Sequence, residues 1–597
     1  MKNLKKFSPY LAAPTLALLL FILFFQAWKI DFSQPIFSYS NDSLVSLFEV
    51  KNVIDEGWFF SNSFVGLPHI TEKFYLHDFP LQADSFHFFI VKIFSYFSSN
   101  PFLIINCFFI FTFILISATS FAALRAFGIS NFSATLISVL YAFTPYHIAR
   151  NVAHLFLSNY AAIPLMIMVS LWIATDKIRI ISIDKKKRYC LAPNRFFFIA
   201  LTISIFVAMN GIYYAIYSAA IFIFAWFLRA LQGGKFLNEN GFSVLVLCFA
   251  IFFALACLYL PSFYYWFEHG LNSGAAIRDR DDSEFFGLKI SSLFLPAGNH
   301  YIEYFAKVRG LFNEYTFEVE SACESLGILG SVGFLFLLLW LLGKSFFDEK
   351  GSFLQKTIQK FSLKRDEQNL IAHLAGLNLL VVFFATVGGL VMFIAIPFPL
   401  IRSHARFSIF IAFLALFLIA IIFDKIIESK KKYAKIFVAL IAFFALFDQV
   451  GRVPASSIQS ESMTNKFRSD RDFVEKIEQA MPQGAMIFEL PIVCFPECAG
   501  YDMMIGYLHS QKLRWSFPAM NGREVFDWQK KVSALEFENF IAEIKKIGFE
   551  GVYLDRAEFI SRKKNWGDLR SFEAKLKSAS EGQAIVSQNL RLVFFRI

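Results

Sequence analysis

The sequence predicts a mainly α protein: a polytopic membrane helix bundle of about eleven spans, followed by a small C-terminal α/β domain outside the membrane. Three observations carry this reading. Hydrophobic residues make up 56% of the 597 and charged residues only 17%, which is more apolar sequence than a water-soluble fold of that length needs. The apolar residues gather in runs close to the ~20 that a helix needs to cross a hydrocarbon core of about 30 Å. After Gly451 those runs shorten, charges return, and strand-like and helix-like patterns alternate.

The first run, Tyr10 to Ile30, follows Lys2, Lys5 and Lys6 and is followed by no clean small-residue cleavage site, so it reads as a retained signal-anchor helix. An outer loop, 31–100, comes next. Within it, Ser43 to Trp58 sets Leu44, Leu47, Phe48, Val50, Val53, Ile54 and Trp58 at mostly helical spacing. Phe86 to Phe97 is a second apolar stretch, too short to span, with Lys92 placed to snorkel. Both suit helices lying in the membrane interface; the alternative is re-entrant or packing helices with no part in chemistry.

Further spans are read at 101–123, 132–149, 155–173, 196–209, 212–230, 243–263, 326–343, 371–396, 407–423 and 434–449. The pair 196–209 and 212–230 reads either as two short helices hinged at Asn210-Gly211 or as one bent helix. Charge sets the orientation. The loops 174–195, 344–370 and 424–433 carry basic clusters such as Lys185-Lys186-Lys187-Arg188 and Lys430-Lys431-Lys432, and the positive-inside rule assigns them to the cytoplasm. Eleven spans then place the N-terminus inside, and loops 31–100 and 264–325 and the tail outside. Merging the doubtful pair would push 344–370 outside, against its charge. The net charge of +10 sits in these short loops, so nucleic acid is not an expected partner.

Two domains follow: 1–450, in the membrane, and 451–597, soluble and extracytoplasmic. In the second, Ala485 to Leu490, Gly551 to Leu554 and Leu590 to Ile597 read as strands, and Ala534 to Ile547 and Asp568 to Ala579 as helices. Cys494 and Cys498 flank Phe495-Pro496-Glu497, a loop able to close a disulfide in an oxidising compartment; no second Cys or His pair makes a zinc pattern.

Several clusters could carry chemistry. Asp42 stands about a dozen residues after the first span and reads equally as a general base or, with Asn41, as a helix cap. His77, Asp78, Asp84 and His87 form a second group, without the regular spacing of a helical metal site, so a divalent metal stays possible and its ligands unknown. Arg150, His147 and His154 lie at the turn between the third and fourth spans. Arg402, His404 and Arg406 lie at the start of the tenth. Ionisable groups at such depths are functional candidates, and arginine forks suit phosphate; the alternative is snorkelling or head-group pairing. The loop 264–325 adds Arg278-Asp279-Arg280-Asp281-Asp282-Ser283-Glu284, His300, Glu318, Glu320 and Glu324, either a loop that orders over substrate or a solvated surface. No phosphate-binding loop, nucleophile elbow or dinucleotide fingerprint appears.

The chain resembles bacterial integral-membrane glycosyltransferases of the GT-C superfamily. It is similar to a group sometimes labelled phosphoglycerol transferases or membrane sugar transferases. The resemblance rests on Asp42 in the first outer loop, on His77-Asp78-Phe79-Pro80, Tyr141-Ala142-Phe143-Thr144-Pro145-Tyr146-His147 and Ile401-Arg402-Ser403-His404-Ala405-Arg406-Phe407, and on Leu513-Arg514-Trp515-Ser516 with Gly522-Arg523-Glu524. The chain departs from the paired acids of some members: Asn41-Asp42-Ser43 has one. The resemblance implies a polyprenyl-phosphate sugar as donor, a glycan or lipid as acceptor, and inversion at the sugar carbon. It implies Asp42, Asp78 and Asp84 as catalytic candidates, Arg402, Arg406 and Arg150 for the donor phosphate, and His77, His147, His154, His300 and His404 for substrate. Arg514, Trp515 and Arg523 are expected to meet the acceptor, although Trp515 and Trp528 read equally as packed core. A lipid-linked sugar flippase is the main rival reading and predicts ionisable groups at mid-span, where this chain has almost none. An assembly protein working through its outer domain is the third.

Overall fold

The computed structural model describes residues 2–67, 73–79, 81–183, 189–232, 239–275, 277–316, 323–346, 359–397, 399, 401–429, 431–498, 500–562 and 568–597. Pro80, Lys185 to Arg188, Glu318, Glu320 and Lys430, all invoked above, lie outside these residues.

The architecture is a helix bundle capped at one end by loops and a small sheet. In chain order the helices are α1 (Lys2–Phe24), α2 (Asp42–Glu56), α3 (Ser85–Ser95), α4 (Pro101–Arg125), α5 (Asn131–Ala142), α6 (Pro145–Arg150), α7 (Leu155–Ser158), α8 (Ala162–Ala174), α9 (Arg195–Ala208), α10 (Ile212–Leu231) and α11 (Glu239–His269). They continue with α12 (Asp282–Phe285), α13 (Glu303–Tyr315), α14 (Gly327–Phe346), α15 (Arg365–Ala385), α16 (Ser408–Glu428), α17 (Ala434–Val450) and α18 (Glu461–Ala480). Among the described residues six helices are long and apolar enough to cross a membrane, including α4, α10, α11, α15 and the stretches around α16 and α17; the helices of α1, α8, α9 and α14 are shorter apolar ones.

Every predicted span contains an apolar helix, with four differences that have physical causes. The run 132–149 is broken after α5, because Pro145 lacks an N–H and drives Thr144 to an extended ψ of 151°. The run 155–173 breaks at Asn159 to Ala161. Residues 196–209 and 212–230 are two helices, parted at Gly211, whose φ of +104° only glycine adopts readily. That turn is bonded to the first loop, Gly211 N donating to the Ala83 carbonyl (2.9 Å) and Phe86 N to that of Met209 (3.1 Å). The run 371–396 ends early as a continuous helix, at Ala385, and a short helix follows at Met392–Ala395.

Helix α16 is the axis of the bundle, buried on nearly all sides, as a helix apolar all round should be. Helix α14 crosses it closely: a Cβ at Gly333 would stand 2.5 Å from the Ala415 carbonyl oxygen, so a small residue is required there. The two ends differ in character. One gathers the predicted basic loops, tied by Ser130 Oγ to Asp424 (2.5 Å) and by Lys425 to Glu367 (2.7 Å). The other gathers α2, the turns at 143–161 and 209–211, the turn His404–Phe407 and the sheet of the tail.

The tail carries a five-stranded mixed sheet of β1 (Met486–Leu490), β2 (Arg514–Trp515), β3 (Phe549–Asp555), β4 (Ile585–Val586) and β5 (Leu592–Arg596), in the order β2-β1-β3-β5-β4, with β1 parallel to β2 and β3, and β5 antiparallel to β3 and β4. Alternation along β1 turns Met486, Phe488 and Leu490 to the helices 524–547 and 569–579, and Ile487 to the side of α18 and the bundle. The sheet is stitched to the first loop: Trp515 N donates to the Phe64 carbonyl (2.8 Å), and Val65 bridges Trp515 in parallel. Cys494 and Cys498 form a disulfide, their Cα atoms 5.2 Å apart.

The expectation of an interfacial helix at 43–58 is corrected. Residues Ser43 to Val53 of α2 are all buried, and Phe48 packs on Phe495 and Tyr507 of the tail. Its apolar side is covered by protein. The more exposed amphipathic helix at this end is α13, which shows Tyr304, Leu311 and Tyr315 to the surroundings.

Candidate functional site

Asp42 is the first residue of α2. Asn41 before it has φ 50° and ψ −131° and makes no capping bond; Ser43 closes the turn instead, its Oγ donating to the Ser40 carbonyl (2.7 Å) and accepting from Ser40 N (3.0 Å). The cap reading of Asn41 and Asp42 is thereby corrected, and the Asp42 side chain stays half exposed. Asn151, just after Arg150, has a similar backbone, φ 36° and ψ −143°. Such conformations cost roughly 1–3 kcal/mol each and persist where the surroundings over-determine them. Here they sit directly beside Asp42 and Arg150, and the charge of Arg150 acts on Asp42.

The Asp42 side chain is 53% exposed. Surrounding protein still desolvates it and pushes its carboxyl above the ordinary value, while Arg150, Arg402 and Arg406 pull the other way. The helix N-terminus also favours its ionised form. His154 Nε2 lies 3.4 Å from Asp42 Oδ2. Burial, Arg150 and Arg406 drive that imidazole down to about 3, so at neutral pH it is uncharged and the contact is not an ion pair.

Aromatic faces fix the planes of the guanidinium forks. Arg406, 7% exposed, lies over Tyr213 at 4.1 Å, Arg402 over Phe286 at 5.0 Å, and Arg150 over Tyr146 at 5.3 Å. Arg402 Nη1 is also 3.3 Å from Asp282 Oδ2. Two further groups join, of which only Tyr501 was not named from the sequence. Arg278 comes from the loop after α11, its pKa lowered by burial and by the positive fields of Arg402 and Arg406. Tyr501 comes from the tail: burial and then Asp42 push its phenol up to about 12, and its hydroxyl donates to the Pro496 carbonyl (2.8 Å). The only signal for either was an Arg in a charged run and an aromatic near the CFPEC loop.

Other candidates lie elsewhere. Asp78 is taken by donors: Arg523 Nε (2.7 Å) and Nη2 (2.9 Å), Trp266 Nε1 (2.9 Å) and Asn272 Nδ2 (3.0 Å). Burial raises its carboxyl, but those bonds outweigh burial and hold it below the ordinary value, so it is a clamp and a poor base. Arg523, expected at the acceptor, is the other half of that clamp. His77 is sandwiched by Tyr265 and Phe60 with Nδ1 2.9 Å from Ser262 Oγ. His147 is fully buried between Thr112 Oγ1 (2.8 Å) and the Ala142 carbonyl (2.7 Å). His300 pairs with Asp448 (3.2 Å) on the flank of the bundle. Trp515 is wholly buried in the seam with the first loop and cannot meet an acceptor; Arg514, its partly buried neighbour, lies on the same short strand. His404 is buried two residues from Arg406. Asp84 Oδ1 lies 3.1 Å from His87 Nδ1, in the turn before α3. Among the described residues no group of three or more His, Cys, Asp or Glu side chains is arranged to hold a metal ion.

An ionisable carboxyl thus lies in the field of several arginines, an arrangement chemically able to remove a proton while receiving an anionic leaving group.

No protein-family profile matches the chain, and no curated protein matches it. Among solved structures it is similar to the Archaeoglobus fulgidus oligosaccharyltransferase tethered to an acceptor peptide, with 13% identity over 93% of this chain and 70% of that one and a TM-score of 0.41. It is also similar to AglB of that organism in complex with an inhibitory peptide and a dolichol-phosphate (14%, 99% and 74%, 0.39). A third is ArnT of Cupriavidus metallidurans bound to undecaprenyl phosphate (10%, 98% and 97%, 0.45). Likenesses at these scores carry no argument, and the site stands on its own geometry.

Proposed function

We propose that the chain is an inverting membrane glycosyltransferase that moves a sugar from a polyprenyl-phosphate-linked donor to a glycan or lipid acceptor at the outer face of a bacterial cytoplasmic membrane. The observation that carries the reading is the convergence of Asp42 with Arg150, Arg402 and Arg406 at one end of an apolar bundle. Asp42 takes the proton of the acceptor hydroxyl; its oxygen bonds to the sugar carbon from the side opposite the phosphate. The carbon–oxygen bond to the lipid phosphate breaks, and its electron pair leaves on an anion that the guanidiniums stabilise. In this reading 1–450 carries the chemistry and 451–597 faces the acceptor through Tyr501. A phosphoglycerol-type transfer is the second reading, favoured by the number of guanidiniums, which suits a phosphate that itself moves.

The test is the glycan profile of a deletion strain, read by mass spectrometry of its envelope lipids and glycans. Loss of one sugar, restored by the wild-type gene and not by Asp42→Asn, supports the proposal. Loss of glycerol phosphate points to the second reading, and an unchanged profile removes both.

A further inference from the structure

The end of the bundle that gathers the basic loops holds a cavity of its own. It lies where the last turns of α16 meet the start of α17 and residues 359–361, and its volume, about 590 Å³, is in the range of small-molecule sites. Four lysines line it, Lys360, Lys425, Lys431 and Lys432, and no carboxylate does. Lys425 is buried and already paired, its ammonium 2.7 Å from Glu367 and 2.9 Å from Glu428. The other three are exposed and, among the described residues, make no ion pair. The Lys432 ammonium stands 5.4 Å from the centre of the Tyr433 ring. Four ammonium groups against two carboxylates leave the cavity positive.

Much of the remaining wall is apolar. Tyr433 and Phe437, one turn apart at the start of α17, both line the cavity and are 62% and 54% exposed. Both α16 and α17 are apolar enough to cross a membrane, so the cavity straddles the level at which apolar helix surface gives way to charge. A soluble anion would meet the lysines and leave the aromatic rings bare. A zwitterionic lipid would cover the rings and bring a cation of its own among the lysines. A lipid with a net negative head satisfies both halves: its phosphate oxygens accept hydrogen bonds from the ammonium groups, and its chains cover Tyr433 and Phe437. We infer that Lys360, Lys431 and Lys432, with Tyr433 and Phe437, form a site for one anionic phospholipid of the leaflet at this end. The site is independent of the transfer reading: the length of α16 sets it about 30 Å from Arg406.

The full-length protein, purified in detergent, tests it with dioleoyl phosphatidylglycerol, dioleoyl phosphatidylcholine and glycerol 3-phosphate as probes. Mass spectrometry of the intact protein should count at least one more phosphatidylglycerol on the wild type than on the triple variant Lys360→Gln, Lys431→Gln, Lys432→Gln. Affinity for that molecule should fall about tenfold or more in the variant, while phosphatidylcholine binds both proteins alike. Phosphatidylglycerol with a diazirine in its acyl chain should label the wild-type peptide that holds Tyr433 and Phe437. Unlabelled phosphatidylglycerol should suppress that labelling, and phosphatidylcholine should not. Equal retention of phosphatidylglycerol by a folded triple variant overturns the inference, as does labelling confined to other helices or suppressed equally by phosphatidylcholine. Glycerol 3-phosphate that displaces the lipid as well as phosphatidylglycerol does also overturns it, and marks the cavity as a site for a soluble anion. If the triple variant melts well below the wild type in phosphatidylcholine, the labelling of the wild-type protein decides alone.

Discussion

At the scale of residues, the decisive feature is that Asp42 is desolvated and ringed by cations at once. Asp42→Asn keeps the shape and removes the base, so transfer should fall by about two orders of magnitude or more while membrane insertion is unchanged. An insertion defect in that variant would assign the residue to folding. The raised carboxyl of Asp42 has a sign that can be checked: activity should be lost as pH falls, with its acidic limb above the ordinary aspartate range, because protonation removes the base. Arg402→Lys and Arg406→Lys should each weaken undecaprenyl phosphate binding about tenfold, a fork being replaced by a point charge. Normal affinity in both would return these arginines to snorkelling. Asp42, Arg150, Arg402 and Arg406 were legible because ionisable groups next to apolar runs stand out. Asp78 and Arg523 stood out equally, yet they satisfy each other across 445 positions, a pairing no local pattern discloses.

At the scale of elements, helix existence followed from apolar run length, whereas breaks and burial depended on partners. The hinge at Asn210-Gly211 announced its break, whereas the apolar run 132–149 continues straight through the proline that breaks it. The burial of α2 did not show, because an amphipathic stripe looks the same whether lipid or the tail covers it. The Asp78–Arg523 clamp joins the end of the first loop to the tail, with the Asp78 side chain only 3% exposed. Removing one partner of such a pair costs about 3–5 kcal/mol, so Arg523→Ala should expose the linkage between tail and bundle to limited proteolysis far sooner than in the wild type. The lowered Asp78 carboxyl means this contribution is present above the ordinary carboxylate pKa and is lost as pH falls through its lowered one. Asp470 of α18 works in the opposite sense. Burial raises it to about 7 against Lys466 and Arg591, with Tyr39 and Asp502 also acting on it. Stability should therefore fall as pH rises from the ordinary carboxylate range through about 7. Asp470→Asn should raise the melting temperature at pH 8 relative to the wild type and lose that advantage near pH 4; equal shifts at both values would place the cost of Asp470 in packing.

At the scale of the whole molecule, the bundle has two ends of different chemistry, and the charge of its loops predicts which faces the cytoplasm. Alkaline phosphatase fused after Ile597 should be active and a cytoplasmic fluorophore at that position dark; the reverse would turn the proposed site to the other side. The seam between Phe64 and Trp515 has a further consequence, one of biosynthetic timing. The two residues are separated by 451 positions (515 − 64), so at about 5–20 residues per second the first loop is made roughly half a minute to a minute and a half before its strand partner exists. Over that interval the Phe64 carbonyl and the buried face of α2 have no tail to meet. Nascent chains stopped short of Trp515 should therefore present this loop to chaperones and proteases on the side where it emerges, and full-length chains only until translation ends.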